Sequence, residues 1–142
     1  MRPQSIIMFE RLFLASLVVS AVSAAIVYDE LVNLFANDPG MEQLGLGVGF
    51  VTTLVGASFA IYLLLWYLIA RKASNLAKWI LVVFVAIGAA TALRALAGPW
   101  TLSVALNFAV YALEVAALAF LFRDDAKAWL AGERPADQST FD

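Results

Sequence analysis

The chain has 142 residues, of which 63% are hydrophobic and 14% are charged, and its formal net charge is −2. A soluble domain has about 25% charged residues, so this composition excludes an ordinary water-soluble fold. Several apolar runs reach about 20 residues, the length that crosses the hydrocarbon core of a bilayer. The sequence therefore predicts an all-α integral membrane protein, a bundle of four transmembrane helices with short connecting loops. The lipid bilayer is its expected surroundings, and no nucleic-acid partner is expected.

Two residue types are missing from the chain, cysteine and histidine. Without cysteine there is no disulfide, no thiolate metal site and no cysteine nucleophile. Without histidine the commonest general base, metal ligand and haem ligand is lost as well. We therefore expect no metal, no cofactor and no catalytic residue, and an enzyme is the least favoured function class.

The first two predicted spans cover residues 12–36 and 44–70. Ser5 is a candidate N-cap for the helix that leads into the first span. In the second span Gly45, Gly49 and Gly56 are spaced four and seven residues apart and share one helical face. Glycine lets another backbone approach closely, so this face predicts a helix-packing seam.

The last two predicted spans cover residues 77–97 and 99–122. Gly98 is typical of the residue just after a helix, and Pro99 is typical of the first turn of the next one. After the fourth span we expect a short interfacial helix within the membrane unit that ends at residue 131. The polar composition of residues 132–142 predicts a disordered cytoplasmic tail.

The fourth span has two distinct faces. One is a stripe of small side chains at spacings of four and three, which predicts a second packing seam: Ala105, Ala109, Ala112, Ala116 and Ala119. Asn107 and Glu114 lie on the opposite face, seven residues apart. A carboxylate at this depth should not face acyl chains, so both faces of the helix are expected to contact protein.

Glu114 defines the predicted intramembrane polar site. Asn107 belongs to the same helical face, while Tyr62 on the second span and Ser20 on the first are expected at a similar depth. Tyr62 is the expected hydrogen-bond partner of Glu114. The site has two interpretations: a buried structural carboxyl, or a site coupled to protons or cations.

Arg94 is expected to have a structural role near the end of the third span. Its depth matches Asp29 and Glu30 at the end of the first span, so an ion pair between these helices is predicted. Arg94 and Glu114 are a poor pair, because their depths differ by roughly 16 Å across a tight hairpin.

Basic residues predict the orientation of the bundle. In a four-span arrangement the lysines and arginines collect at the side of both termini, and only Arg94 lies on the other side. The positive-inside rule then places both termini in the cytoplasm. The expected location is the cytoplasmic (inner) membrane of a bacterium.

Two function classes remain open. The small-residue seams and the shortage of chemically reactive side chains favour an accessory or scaffold subunit, which packs against a membrane-protein partner or forms a homo-oligomer. The alternative is a minimal oligomeric transporter or channel that uses the Glu114 face.

Overall fold

The computed structural model describes residues 2–95 and 97–132, which form six helices and no strand. The helices are α1 Gln4–Ala36, α2 Pro39–Gln43, α3 Val48–Lys72, α4 Asn75–Ala95, α5 Leu102–Leu121 and α6 Asp124–Leu130. Four of them, α1, α3, α4 and α5, are long and apolar enough to cross a membrane. The predicted all-α class with four apolar spans is thus confirmed. Apart from Gly132, the predicted tail lies outside the described residues.

Local capping fixes where the last two long helices begin. The Ser74 hydroxyl accepts a hydrogen bond of 3.2 Å from the Ala77 N–H at the start of α4. The Thr101 hydroxyl accepts one of 3.3 Å from the Val104 N–H, which makes Thr101 the N-cap of α5. Pro99 therefore precedes the helix, and the expectation that it occupies the first helical turn is corrected.

The helix α5 packs most extensively against α1. It also contacts α4, while α3 packs against α1 and α4. Ser16 and Ser23 of α1 are buried, and the Ser16 hydroxyl donates a hydrogen bond of 2.7 Å to the Phe13 carbonyl. Such short side chains let two helices approach closely, which is how helices associate in lipid.

The apolar core is concentrated at one end of the bundle. We call this the terminal end, because it holds the start of α1, the connection between α3 and α4, and α6. Its large, completely buried side chains are Ile6, Phe9, Phe13, Ile69, Leu81 and Leu121. We call the opposite end the α2 end. Among the described residues near the helix termini there, the buried apolar ones are Val51, close to the start of α3, and Ala92, close to the end of α4. The terminal end is therefore packed much more closely than the α2 end.

The predicted glycine seam is packed only in part: Thr52, which lies between Gly49 and Gly56 on the same face of α3, shares a hydrogen bond of 2.6 Å with Tyr28 of α1. Gly45 has a φ of 67° and lies in the connection before α3, so it is not on the helical face at all, which corrects the prediction. Gly49 and Gly56 are on α3, but a Cβ atom built on either would meet nothing within 4 Å.

The alanine stripe of α5 also faces outward. Four of its members are exposed, Ala105, Ala109, Ala112 and Ala119, and Ala116 is half-buried. The opposite face of α5 is the one that packs in the bundle, because Val110, Ala117 and Leu121 are buried there. Of the two faces of α5, the sequence could not indicate which one the chain itself covers.

A polar contact joins the start of α1 to α6. The helix α6 buries Ala126 and Leu130 against the core. Its Asp125 accepts two hydrogen bonds from Ser5 near the start of α1, one from the backbone N–H at 3.2 Å and one from the hydroxyl at 2.8 Å. Ser5 is therefore a donor to Asp125 rather than the N-cap of α1, a position that Pro3 occupies.

Candidate functional site

Glu114 is buried because it lies on the same face of α5 as the apolar residues that pack in the bundle. It shares a face with Val110, Ala117 and Leu121, and only 3% of its surface is exposed. It lies about 18 Å along α5 from Leu102 and about 10 Å from Leu121. Its Oε2 atom is buried and has no hydrogen-bond partner among the described residues. A buried carboxyl oxygen without a partner is costly, so this position requires an explanation beyond packing.

A cavity of about 170 Å³ lies beside Glu114, between α1, α3 and α5. The structure places all four residues of the predicted polar site in its wall: Ser20, Tyr62, Asn107 and Glu114. The rest of the wall is formed by Leu17, Ser58, Phe59, Val110 and Tyr111. We call this the Glu114 cavity. With a liquid-phase volume of about 30 Å³ per water, it has room for roughly five water molecules.

Sequence reasoning missed two polar members of this wall, Ser58 and Tyr111. Tyr111 had a usable signal, since it lies four residues after Asn107 and three before Glu114 on one helical face. Ser58 had no such signal. In the structure its hydroxyl donates a hydrogen bond of 2.8 Å to the Leu54 carbonyl of its own helix. A serine can form such a local bond on any face of a helix, so its position in the sequence does not indicate a cavity.

Tyr62 does not form the expected hydrogen bond. Within the described residues no hydrogen bond joins Tyr62 to Glu114, although both line the same cavity. The Tyr62 ring is held by aromatic neighbours instead: its centroid is 6.0 Å from Phe13, in a stacked geometry, and 6.2 Å from Phe84. Ring packing therefore decides the position of Tyr62, and Oε2 of Glu114 is left without a partner among the described residues.

These aromatic rings form a layer on the terminal side of the Glu114 cavity. Phe9 stacks on Phe13 at 5.4 Å, and Phe13, Tyr62 and Phe84 continue the contact across α1, α3 and α4. Phe9 and Phe13 are completely buried. We call these four residues the aromatic layer.

A second cavity of about 190 Å³ lies between α4 and α5, nearer the α2 end. Its wall consists of Thr91, Ala92, Ala95, Val104, Asn107, Phe108 and Tyr111. Asn107 and Tyr111 line both cavities. The Tyr111 ring rests on the backbone of α4 at Gly88, where an added Cβ atom would lie 2.5 Å from the ring carbon Cε1. Tyr111 thus stands between the two cavities, in a position that a side chain at residue 88 would obstruct.

The predicted ion pair of Arg94 with Asp29 or Glu30 is not formed. All three residues are exposed, and the ion pairs of the described residues are Arg2–Glu10, Arg71–Glu10 and Lys127–Asp124. The reason lies in the helix arrangement, because α4 packs against α3 and α5, while Asp29 and Glu30 are on α1. The pair was predicted only from the similar depths of these residues along their helices, without knowledge of which helices are neighbours.

Charged groups cluster instead at the terminal end. Glu10 contacts Arg2 at 2.5 Å and Arg71 at 3.5 Å, which links α1 to the end of α3. Lys78 is buried, and its ammonium lies over the rings of Trp79 and Phe122 at 5.2 and 5.1 Å. In the part of the chain that the structure describes, no three metal-ligating side chains come together.

Fold and site together define the class of this molecule: an integral membrane protein with four long apolar helices and a polar cavity that contains a buried carboxyl group. Comparison of the chain with protein-family models, curated proteins and solved structures finds no match.

Proposed function

We propose that this protein is a minimal transporter or channel for protons or small monovalent cations, with Glu114 as the ion-binding group. The observation that carries this proposal is the buried, unpartnered Oε2 atom of Glu114 at the wall of a cavity. Ionisable residues within a membrane are costly, and they mark ion pathways and proton relays. A proton or a cation bound at Glu114 would supply the partner that the protein itself does not provide.

The size of the Glu114 cavity selects the class of solute. Sites for drug-sized molecules have volumes of about 300–1,000 Å³. At about 170 Å³ the Glu114 cavity is smaller, and Ser20, Tyr62 and Asn107 are polar residues of its wall. A proton, or a small cation that keeps part of its water shell, fits both the volume and the chemistry of the wall.

We also propose that the terminal end faces the cytoplasm of a bacterial cell, with the helices in its cytoplasmic membrane. The basic residues of the terminal end support this: Arg2, Arg11, Arg71, Lys72, Lys78, Arg123 and Lys127. The α2 end has Asp29, Glu30 and Asp38, and Arg94 is its basic residue among the described positions. Lysine and arginine are enriched in cytoplasmic loops, which gives this orientation.

The first test is Glu114→Gln, which keeps the shape of the side chain and removes its charge. We expect the variant to lower ion flux into reconstituted vesicles to the level of protein-free vesicles, because the binding group is lost. Flux is followed with an enclosed pH-sensitive dye under a proton gradient, and then under gradients of Na⁺ and K⁺.

The matched control is Glu30→Gln, the same chemical change at an exposed carboxylate outside the cavity. Its flux should equal that of the unaltered protein. A Glu114→Gln protein that conducts as well as the Glu30→Gln protein would contradict the proposal, provided that both elute from size-exclusion chromatography as folded particles.

A second candidate function is an accessory or scaffold subunit, and the outward alanine face of α5 favours it. Ala109 and Ala112 are exposed there, and the glycine face of α3 is open as well. Faces of small residues let the helices of another protein approach closely. In this proposal the partner is a second copy of the chain or a different membrane protein.

We expect Ala109→Leu together with Ala112→Leu to reduce the mass of the particle extracted gently from its membrane, because the larger side chains keep a partner helix away. Native mass spectrometry measures this mass. The control is Ala21→Leu with Ala25→Leu on the exposed face of α1. An unaltered protein that is extracted as a single copy would contradict the subunit proposal, as would a mass that the α5 substitutions leave unchanged.

A further inference from the structure

We propose that the Glu114 cavity exchanges its ion with water only at the α2 end, through the second cavity, and that Tyr111 is the gate between the two cavities. This inference rests on the proposed function, and it adds a direction of access and a gating residue. Four features of the structure support it in turn.

The terminal side of the Glu114 cavity is closed. The aromatic layer lies there, and Phe9 and Phe13 within it have no exposed surface. Beyond these rings Ile69 and Leu121 are also completely buried. Protein interiors packed in this way have few voids large enough for water, so an ion has no route in this direction.

On the side of the α2 end, the Glu114 cavity is followed by the second cavity and not by a closely packed core. The second cavity begins near the end of α4, where Thr91 lies about 6 Å along the helix from its last residue, Ala95. Thr91 and Asn107 are exposed, so polar atoms line the outer part of this route. This end also lacks the closely packed core of the other end.

Polar side chains continue from the second cavity to the carboxyl group. Asn107, Tyr111 and Glu114 follow one face of α5 at spacings of four and three residues, which is about 6 and 5 Å along the helix axis. Asn107 and Tyr111 belong to both cavity walls. An ion that moves along this face meets a polar group at each turn of the helix.

Tyr111 is placed to open and close this route. Its ring lies on the bare backbone of α4 at Gly88. Residues around a gate must have two accessible positions, and at Gly88 the ring meets backbone that carries no side chain. Rotation of the ring away from α4 would join the two cavities.

The experiment uses the absence of cysteine from the chain. Single cysteines are introduced as Ser20→Cys in the Glu114 cavity, Thr91→Cys in the second cavity, and Leu93→Cys, which is two residues from Thr91 and exposed on α4. A membrane-impermeant thiol reagent is applied to one side of sealed vesicles at a time. Gln43→Cys in α2 and Asp124→Cys in α6, both exposed, identify the two sides.

We expect Thr91→Cys and Ser20→Cys to react from the α2 side, Ser20→Cys more slowly, and Leu93→Cys to stay unreactive because it faces acyl chains. Adding Tyr111→Ala should raise the Ser20→Cys rate by at least about tenfold. Elution of the Tyr111→Ala protein from size-exclusion chromatography at the position of the unaltered protein shows that it is folded.

Three results would overturn the inference: a Ser20→Cys protein that reacts from the terminal side, one that reacts from neither side, or one whose rate does not respond to Tyr111→Ala. Tyr111→Phe is a second variant that keeps the ring, and it should leave the Ser20→Cys rate low. Labelling requires no ion flux, so this experiment is independent of the Glu114→Gln flux measurement. Flux that depends on Glu114 with labelling from the terminal side would reject the route and keep the function.

Discussion

Replacing Gly88 by alanine is expected to destabilise the protein by about 1 kcal/mol, the net of two opposing effects. A Cβ atom at this position would lie 2.5 Å from Cε1, 2.6 Å from the hydroxyl oxygen and 2.8 Å from Cζ of Tyr111. Overpacking of this kind costs about 1–3 kcal/mol. The exchange of glycine for alanine within a helix returns about 0.5–1 kcal/mol. The steric effect is larger, so the free energy of unfolding falls.

The same substitution should have the opposite sign when Tyr111 is already alanine. Without the ring nothing obstructs the new methyl group, and only the helix preference remains. Gly88→Ala should then raise the free energy of unfolding by about 0.5–1 kcal/mol. The coupling energy between the two positions is expected to be about 2 kcal/mol, which is within the range for residues in direct contact. Equilibrium unfolding in mixed micelles with a denaturing detergent measures all four proteins of the cycle.

Gly56→Ala on α3 is the matched control, because an added Cβ atom meets nothing within 4 Å there. It should stabilise the protein in both backgrounds by a similar amount. If Gly88→Ala stabilised the unaltered protein as Gly56→Ala does, the Tyr111 ring would not rest on α4, and the gate proposed above would lose its structural basis.

The helices themselves could be predicted from sequence because their signal is local. A run of about 20 apolar residues has one solution in lipid, a helix with all its backbone hydrogen bonds internal. The ends of the helices depend on single capping side chains. The sequence predicted that α5 begins at Pro99, whereas the Thr101 hydroxyl caps the helix and α5 begins at Leu102.

Four of the polar residues around the cavity, Ser20, Tyr62, Asn107 and Glu114, could be placed together from depth and helical face alone. Ser20, Tyr62 and Glu114 lie at similar depths on three helices, and any compact bundle brings such residues near one another. The orientation of each side chain could not be predicted. Aromatic contacts with Phe13 and Phe84 hold Tyr62, and these contacts depend on the final positions of three helices.

Properties that depend on which helices are neighbours could not be predicted from the sequence. The depths predicted for Arg94 and Glu30 match, but α4 packs against α3 and α5, and the ion pair is not formed among the described residues. The small-residue faces of α3 and α5 have the pattern of packing surfaces, yet Gly49 and Gly56 have no close neighbour and most of the alanine stripe is exposed. A pattern shows that a face can pack, whereas the arrangement of the other helices decides whether it does.

Replacing Asp125 by alanine is expected to lower the free energy of unfolding by about 1 kcal/mol at pH 7, a typical effect for the loss of an N-cap. Pro3 stands at the N-cap of α1 and makes no side-chain hydrogen bond. The carboxylate of Asp125 supplies the missing acceptor from another helix, since it binds both the backbone N–H and the hydroxyl of Ser5. Ser5→Ala should have about half this effect, because the backbone N–H bond remains.

The contribution of Asp125 should also depend on pH. Partial burial acts to raise the pKa of Asp125, but the hydrogen bonds from Ser5 and from the Ala126 backbone, together with the charge of Arg123, outweigh it and lower the pKa below its ordinary value of 3.8. A carboxyl group whose pKa is lower in the folded state stabilises the fold above its ordinary pKa. The difference between the unaltered protein and Asp125→Ala should therefore be constant from pH 7 to pH 5 and should shrink below about pH 4.

Asp124→Ala is the control for this measurement. Asp124 is the neighbouring residue of α6, it is fully exposed, and its carboxylate contacts Lys127 at 3.2 Å. Exposed pairs of this kind contribute little, so the free energy of unfolding should change much less than with Asp125→Ala, with no comparable loss at low pH. Equal effects of the two substitutions would mean that α6 does not cap α1. A difference that grows as the pH falls would reverse the sign of the proposed linkage.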